Sequence, residues 1–322
     1  MRRLAPTGKE TAINSTLAAL ERPSEMPKAG TADARRILII HNPMSGRGPG
    51  PLREVVAHLE RLGCRITVRP TTCRGDAPVF ASEASEAEFD RIVVCGGDGT
   101  INEAVNGLTA KSPPLAIIPA GTANVLAAEL GLSSDPKEIA DAIVTGEARA
   151  VSLGEINGHK FLLMAGVGFD ACVVATVSSR LKRAIGKGAY VIASLQQMIR
   201  GDFPRFQLLI DGVPYEAASI VIANAHYYGG KFVCAPEARM ESADLQVCLF
   251  ERGSRFYVAI YGLALTLGFL PKAPGYRIVP ATRIEIRGPS GAAIQSDGDF
   301  VGHTPAQVSI TPRAVRLVFP RR

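Results

Sequence analysis

The stretch VVCGGDGTINEAVNGL, Val93 to Leu108, packs Gly96, Gly97 and Gly99 into four residues between an apolar run and a helical pattern. A buried strand that feeds a helix through a glycine turn reads this way. The same grammar recurs on both sides. ILII (37–40) ends in the loop HNPMSGRGPG and is followed by PLREVVAHLERL (51–62), with Leu52, Val55, Val56, Leu59 and Leu62 at helical spacing. Cys64 to Arg69 reads as a second strand, Asp76 to Ala87 as a helix, Ile92 to Cys95 as a third strand and Ile101 to Leu108 as the start of a helix. LAIIP, Leu115 to Pro119, is a fourth strand that enters AGTANVLAAELGL. Strands alternating with helices predict a doubly wound α/β domain with a parallel sheet.

The texture changes near 146–152. KFLLMAGVGF, FQLLIDGV, EAASIVIANA, LQVCLFE, RIVPATRIEIR, AAIQSDGDF, AQVSITPR and VRLVFP read as strands, and Asn157-Gly158 and Asp211-Gly212 as hairpin turns. Helical segments at Ser179 to Arg200 and within 256–270 interrupt them. The chain of 322 residues therefore divides into a lead-in over 1–34, an α/β domain over 35–150 and a mainly antiparallel β domain over 151–322, whose last segment can return to the first domain.

Composition narrows the function. With 47% hydrophobic and 20% charged residues the chain is globular. No Trp and only 6% aromatics leave few stacking platforms, which argues against a nucleic-acid partner. The net charge of +6 suits phosphates or acidic lipids without choosing between them. The six cysteines form no CxxC pair, as expected of reduced thiols in a cytoplasmic protein. Residues 1–34 lack the apolar core of a secretory signal. The apolar stretch FYVAIYGLALTLGFL has 15 residues, fewer than the roughly 20 a spanning helix needs.

Chemistry concentrates in the loops after the strands. Glycines there let backbone amides approach a ligand, and a helix start favours phosphate. In a doubly wound sheet such loops line one crevice. NPMSGRG supplies Asn42, Pro43, Ser45, Gly46 and Arg47; GGDGT and its helix supply Gly96, Gly97, Asp98, Gly99, Thr100, Asn102 and Glu103; PAGTANVLA supplies Gly121, Thr122 and Asn124. Asp98 sits within the turn, where a carboxylate repels phosphate unless it meets Mg²⁺ or a proton. Thr100 donates a hydroxyl or caps the helix. The P-loop, Rossmann and protein-kinase signatures are absent.

These loops, with MAGVGFDA (Met164 to Ala171), NAHYYGGKFVCAPEA (Asn224 to Ala238) and SDGDF (Ser296 to Phe300), resemble the catalytic domain of the diacylglycerol kinase and sphingosine kinase family of lipid kinases over residues 35 to 320. The resemblance implies an α/β domain followed by a β-sandwich, ATP and Mg²⁺ as cofactors, and a lipid substrate met at a membrane surface. It implies nucleotide contacts at Asn42 to Gly46, Thr71, Gly96 to Asn102 and Thr122. Asp98 becomes the acid near the transferred phosphate. The family's DGE motif falls on Asp297, Gly298 and Asp299, with Asp299 at the position of the general base and Asp297 next in line.

Three positions depart from the family. Asp299 stands where a Glu is usual. Ser242-Ala243 stands where an Asp-Gly pair helps to hold a structural Mg²⁺, a site that also draws on backbone near Arg239 and on Asp244. Met164 stands where Asn often opens its motif. The reading expected is an ATP- and Mg²⁺-dependent kinase of a lipid hydroxyl (diacylglycerol, a sphingoid base, ceramide or a related lipid), cytoplasmic and in peripheral contact with the inner face of the membrane. An NAD kinase and a non-catalytic lipid- or nucleotide-binding protein are the alternatives. The 179–200 segment, with Arg180, Lys182, Arg183 and Lys187 at its start, reads as a membrane-surface helix or a core helix with a solvated end. The 256–270 stretch reads as core packing or as a wall for an acyl chain.

Overall fold

The computed structural model describes residues 35–46, 50–168 and 203–321. Arg47, Asp170, the lead-in and the 179–200 segment lie outside them.

β1 (Arg36–His41), α1 (Gly50–Arg61), β2 (Arg65–Pro70), α2 (Asp76–Glu83), β3 (Arg91–Gly96), α3 (Asp98–Gly107) and β4 (Leu115–Pro119) alternate along the chain. The strands run parallel in the order β2-β1-β3-β4. The period-2 geometry of β1 divides its side chains between two cores. Ile37 and Ile39 pack with Leu52, Val55 and Leu59 of α1. Leu38 and Ile40 share a cluster with Ala77 and Ala81 of α2 and Ile101 and Val105 of α3. Helices therefore cover both faces, as expected of a doubly wound sheet. Each fully buried Ile or Leu contributes about 1.5–3 kcal/mol. α4 (Val125–Glu129) and α5 (Pro136–Thr145) follow. Asp135 caps α5 by accepting from the Lys137 amide at 2.8 Å, with Pro136 at the first helical position.

The second part is strand-rich. β5 (Glu147–Ile156), β6 (His159–Phe161), β7 (Met164–Val167), β8 (Phe206–Ile210), β9 (Val213–Ala217) and β10 (Ser219–Ala223) precede a short hairpin of β11 (Tyr227–Tyr228) and β12 (Phe232–Val233). β13 (Leu245–Phe250), α6 (Arg255–Thr266), β14 (Tyr276–Ala281), β15 (Arg283–Gly288), β16 (Ala293–Ser296), β17 (Asp299–His303) and β18 (Ala306–Phe319) complete the chain. β14-β13-β10-β7-β16-β17 form an antiparallel sheet. It packs on β15, β8 and β6 of the larger sheet through Ile220, Val247, Leu249 and Ile294 against Phe206, Leu208, Ile284 and Phe161. This is the expected β-sandwich.

The two halves share a sheet. β18 pairs in parallel with β4 at Leu317↔Leu115, and antiparallel with β5 and β15. Residue 150 lies inside β5. AQVSITPR and VRLVFP, read as two strands, form one strand of 14 residues with a bulge at which Arg313 takes φ 50°. The bulge keeps the ladder while bending the strand from the sandwich to the parallel sheet.

Candidate active site

The glycine turn is tighter than the sequence suggests. α3 begins at Asp98, not Ile101, because Gly97 is extended and already serves as the N-cap residue. Asp98 is thus the first helical residue, and Thr100 does not cap the helix. Thr100 Oγ1 instead accepts from Asn42 Nδ2 at 2.9 Å, which joins the first loop to the second. Asn42 Oδ1 accepts from the Met44 amide and its carbonyl from the Ser45 amide, folding the chain over Pro43. A Cβ placed on Gly46 would lie 3.6 Å from Thr122 Oγ1, so the first loop also reaches the third.

The second and third loops meet backbone to backbone. A Cβ on Gly121 would stand 2.6 Å from Gly97 Cα and 2.9 Å from Asn124 Oδ1. Only glycine fits there. We predict that Gly121→Ala pushes the loops apart and, if they cradle a nucleotide, raises its KM at least about tenfold, since even ~1 Å of misplacement is costly at a reacting centre. Steady-state kinetics at varied ATP checks this, and an unchanged KM refutes it. Asn124, at φ 49°, binds the amide and the carbonyl of Gly121, so its side chain holds the shape of the loop.

Asp98 reaches the third loop as well. Its two oxygens accept from the Val125 and Leu126 amides, each at 3.1 Å. The carboxylate therefore caps α4, a role the sequence reading missed because the capped helix lies 27 residues away in the chain. Of the other expected nucleotide residues, Thr71 is held through its amide on the His41 carbonyl, and Asn102 Oδ1 accepts from Asn106 at 3.0 Å. Asn106 also exchanges hydrogen bonds with Lys160 of β6, tying α3 to the sandwich.

SDGDF arrives from the other side. Ser296 pairs with Asp299 across β16 and β17, with Asp297 at φ 47° and Gly298 at φ 85° between them. Two central residues with positive φ make a type I′ hairpin turn, like Asn157-Gly158 and Asp211-Gly212. The turn separates the roles of its two acids. Asp297 is half-buried overall, with its carboxyl turned inward. Its oxygens accept from the amides of Leu162, Leu163 and Met164 at 2.7, 2.9 and 2.8 Å. Desolvation raises this carboxyl to about 7 against the pull of the three amides, and the nearby charge of Asp98 adds to the rise. The Met164 departure is absorbed here, because Asp297 uses only that residue's backbone.

Asp299, one residue past the turn, faces the start of α3. Its Oδ2 lies 3.9 Å from where a Gly99 Cβ would be. Arg74 Nη2 donates to that oxygen at 2.9 Å, while Arg74 Nε lies 3.3 Å from Glu103 Oε1. Arg74, from TTCRGDA, was not singled out in the sequence; an Arg between acids distant in the chain carries no local signal. Glu103 is thereby assigned to an ion pair. The structure thus brings Asp98, Asp297 and Asp299 to one side of three phosphate-type loops. Asp297 gives its oxygens to three amides and Asp98 to two, while Asp299 Oδ1 has no protein partner among the described residues. Among the described residues no group of three or more His, Cys, Asp or Glu could hold a metal ion by itself. A Mg²⁺ ion here would have to draw most of its ligands from substrate phosphates and water.

The second expected metal position is different. The Arg239 carbonyl accepts from the Ser242 amide at 2.9 Å, the Met240 carbonyl from the Ser152 amide at 2.6 Å, and the Ser242 carbonyl from Ser152 Oγ at 2.5 Å. Asp244 takes the Gln246 side-chain amide at 3.0 Å. Arg239, Ser242 and Asp244 each give one oxygen to a donor of the chain itself. Ser152, buried, is the hub: its carbonyl also accepts from Asn224 at 2.9 Å. Ser152→Ala should cost about 1–3 kcal/mol in denaturant unfolding; a loss near zero would show that the loop holds without it.

Comparison with known proteins agrees with this geometry. Residues 36–156 match the model described as the diacylglycerol kinase catalytic domain. Residues 164–319 match the YegS C-terminal NAD kinase beta sandwich-like domain. The chain is 29% identical to a diacylglycerol kinase of Bacillus subtilis (strain 168) over 295 residues, 89% of this chain and 97% of that one. A diacylglycerol kinase of Mycobacterium tuberculosis (strain ATCC 25618 / H37Rv) is 29% identical over 297 residues, 89% and 96% of the two chains. The crystal structure of a diacylglycerol kinase from Bacillus anthracis str. Sterne superposes with a TM-score of 0.72 at 27% identity, covering 90% of this chain and 98% of that chain. With two family models spanning nearly all of the described fold and the acids of both halves meeting at the same loops, the chain belongs to the diacylglycerol kinase and YegS-like family of lipid kinases.

Proposed function

We propose that the protein transfers the γ-phosphate of ATP to the hydroxyl of a membrane lipid, with diacylglycerol the first candidate because relatives carry that name. The observation that carries this reading is the meeting of Asp98 with the Asp297-Gly298-Asp299 turn, two motifs about 200 residues apart, beside three loops shaped for phosphate.

Phosphoryl transfer depends on in-line placement and charge neutralisation. The amides at the start of α3 and around Gly121 orient the phosphates. Asp299, which has no protein partner on Oδ1 among the described residues, accepts the proton of the lipid hydroxyl. The lipid oxygen bonds to the γ-phosphorus as the bond to the β,γ-bridging oxygen breaks, and ADP leaves with that electron pair. Asp297 positions Asp299 by fixing the turn on three backbone amides. Asp98, through the lone pairs its two amide contacts leave, would hold Mg²⁺ together with the nucleotide's phosphates, and the ion would supply charge neutralisation.

Incubation with γ-labelled ATP, Mg²⁺ and separate acceptors tests the reading. Label on diacylglycerol is expected. Label on NAD alone overturns the lipid assignment in favour of a dinucleotide kinase. Label on a sphingoid base or ceramide, but not on diacylglycerol, changes the lipid and keeps the reaction class.

A further inference from the structure

α6 is an apolar helix with an uncovered face. Its sequence RFYVAIYGLALT buries only Tyr261 and Ala264. That inner face is anchored: Tyr261 donates to the Gly275 carbonyl at 3.0 Å, and its ring lies 5.0 Å from that of Phe250, edge to face. On the outer face Phe256 is 69% exposed, Leu263 59% and Leu267 62%, at offsets of 7 and 4 residues that keep them on one side. Phe232 of β12, which packs on α6, extends the patch at 41% exposure. Exposed apolar side chains grouped on one helix face in this way mark an interaction surface.

Charge identifies the partner. Residues 252–273 contain Arg252, Arg255 and Lys272 and no Asp or Glu. Lys231 stands beside Phe232 and is exposed. Glu251, just before the stretch, is paired with Arg277 at 2.9 Å. Apolar side chains rimmed by cations complement an anionic lipid surface. A helix of 12 residues is about 18 Å long, too short to cross a bilayer but suited to lying in its interface.

Position supports the same partner. β11 packs on α4, the helix whose amides hold Asp98, and β12 packs on α6. His226, at the base of that hairpin, is bound to Glu129 of α4 through both its ring and its amide. One short hairpin thus spans from the patch to the catalytic cleft.

We propose that the outer face of α6, with Phe232 and the rim of Lys231, Arg252, Arg255 and Lys272, docks this protein on anionic phospholipid and sets the mouth of the cleft at the membrane where its lipid substrate lies. The inference rests on the lipid-kinase reading for its purpose, but its test is separable. The full chain is sedimented with vesicles of phosphatidylcholine, alone or mixed with phosphatidylglycerol. Wild type should bind the mixed vesicles at least tenfold more tightly. Phe256→Gln/Leu263→Gln/Leu267→Gln should lose that binding tenfold or more while unfolding at the wild-type temperature, with Leu263→Gln alone as the milder variant if the triple one misfolds. Lys231→Glu/Lys272→Glu should erase the preference for the anionic vesicles.

Kinase activity separates the two claims. On a short-chain diacylglycerol dispersed as monomers, the triple variant should match wild type; on the same lipid in vesicles it should fall tenfold or more. Wild-type vesicle binding by a folded triple variant overturns the proposal. So does equal wild-type affinity for neutral and anionic vesicles. A wild-type dimer that the triple variant converts to monomer with vesicle binding intact also overturns it, and assigns the face to a second copy. Vesicle binding that depends on α6, without label on any lipid, removes the kinase reading and leaves the docking surface standing.

Discussion

Asp98→Asn is expected to lower kcat/KM for phosphate transfer by roughly a hundred- to a thousand-fold, the scale on which removing a preorganised electrostatic contact acts. It is also expected to cost stability. Both oxygens of Asp98 accept backbone amides at the start of α4. An Asn keeps one acceptor and turns an N–H₂ toward the other amide, leaving a half-buried donor unsatisfied at about 1–3 kcal/mol. Urea unfolding and kinetics on one preparation separate the two losses, provided the assay runs where the variant is fully folded. A destabilised variant that transfers phosphate within a few-fold of wild type would confine Asp98 to capping α4. Low activity at unchanged stability would mean that the cap is rebuilt without its charge.

The second large effect should come from the hairpin turn. Asp299→Asn is expected to lower kcat by about 10²–10⁴-fold, the usual contribution of a positioned general base. Its KM for ATP should change little. So should its stability, because the paired Arg74 is 71% exposed and such an ion pair contributes at most about 1 kcal/mol. Asp297→Asn should show the opposite balance. An Asn keeps the oxygen that takes the Leu163 and Met164 amides but turns an N–H₂ toward the Leu162 amide, so it should destabilise by about 1–3 kcal/mol for that one unsatisfied donor. The contrast matters because the carboxyl of Asp297, raised to about 7, lies in the range where a base works best. Wild-type turnover in Asp299→Asn, with loss of turnover in folded Asp297→Asn, would move the base to Asp297.

Much of the fold was legible because its signals are local. Period-2 strands and period-3.6 helices in the first 150 residues require a doubly wound sheet, and Asn-Gly and Asp-Gly pairs require tight hairpins. Asp297-Gly298 carries the same hairpin signal as the other two, yet it reads first as a catalytic motif. Both readings apply to the one turn. The α3 boundary was misplaced by three residues because an extended Gly97 can start a helix without a side-chain cap. The division of β18 failed because a bulge at a positive-φ Arg313 looks like a break in the sequence while the ladder continues.

By itself the sequence determined the family, the layered α/β and sandwich architecture, and the three glycine loops with their acids, since each depends on residues within a few positions of one another. Only the tertiary structure decided what those residues do to one another. Folding set Asp98 on the amides of α4, divided Asp297 from Asp299, brought Arg74 between Glu103 and Asp299, tied the expected metal loop to the donors of Ser152, and left one face of α6 uncovered. Each of these is a contact between segments far apart in the chain. Such contacts follow from which surfaces the packed sheets bring within a few ångströms, and no local pattern encodes that.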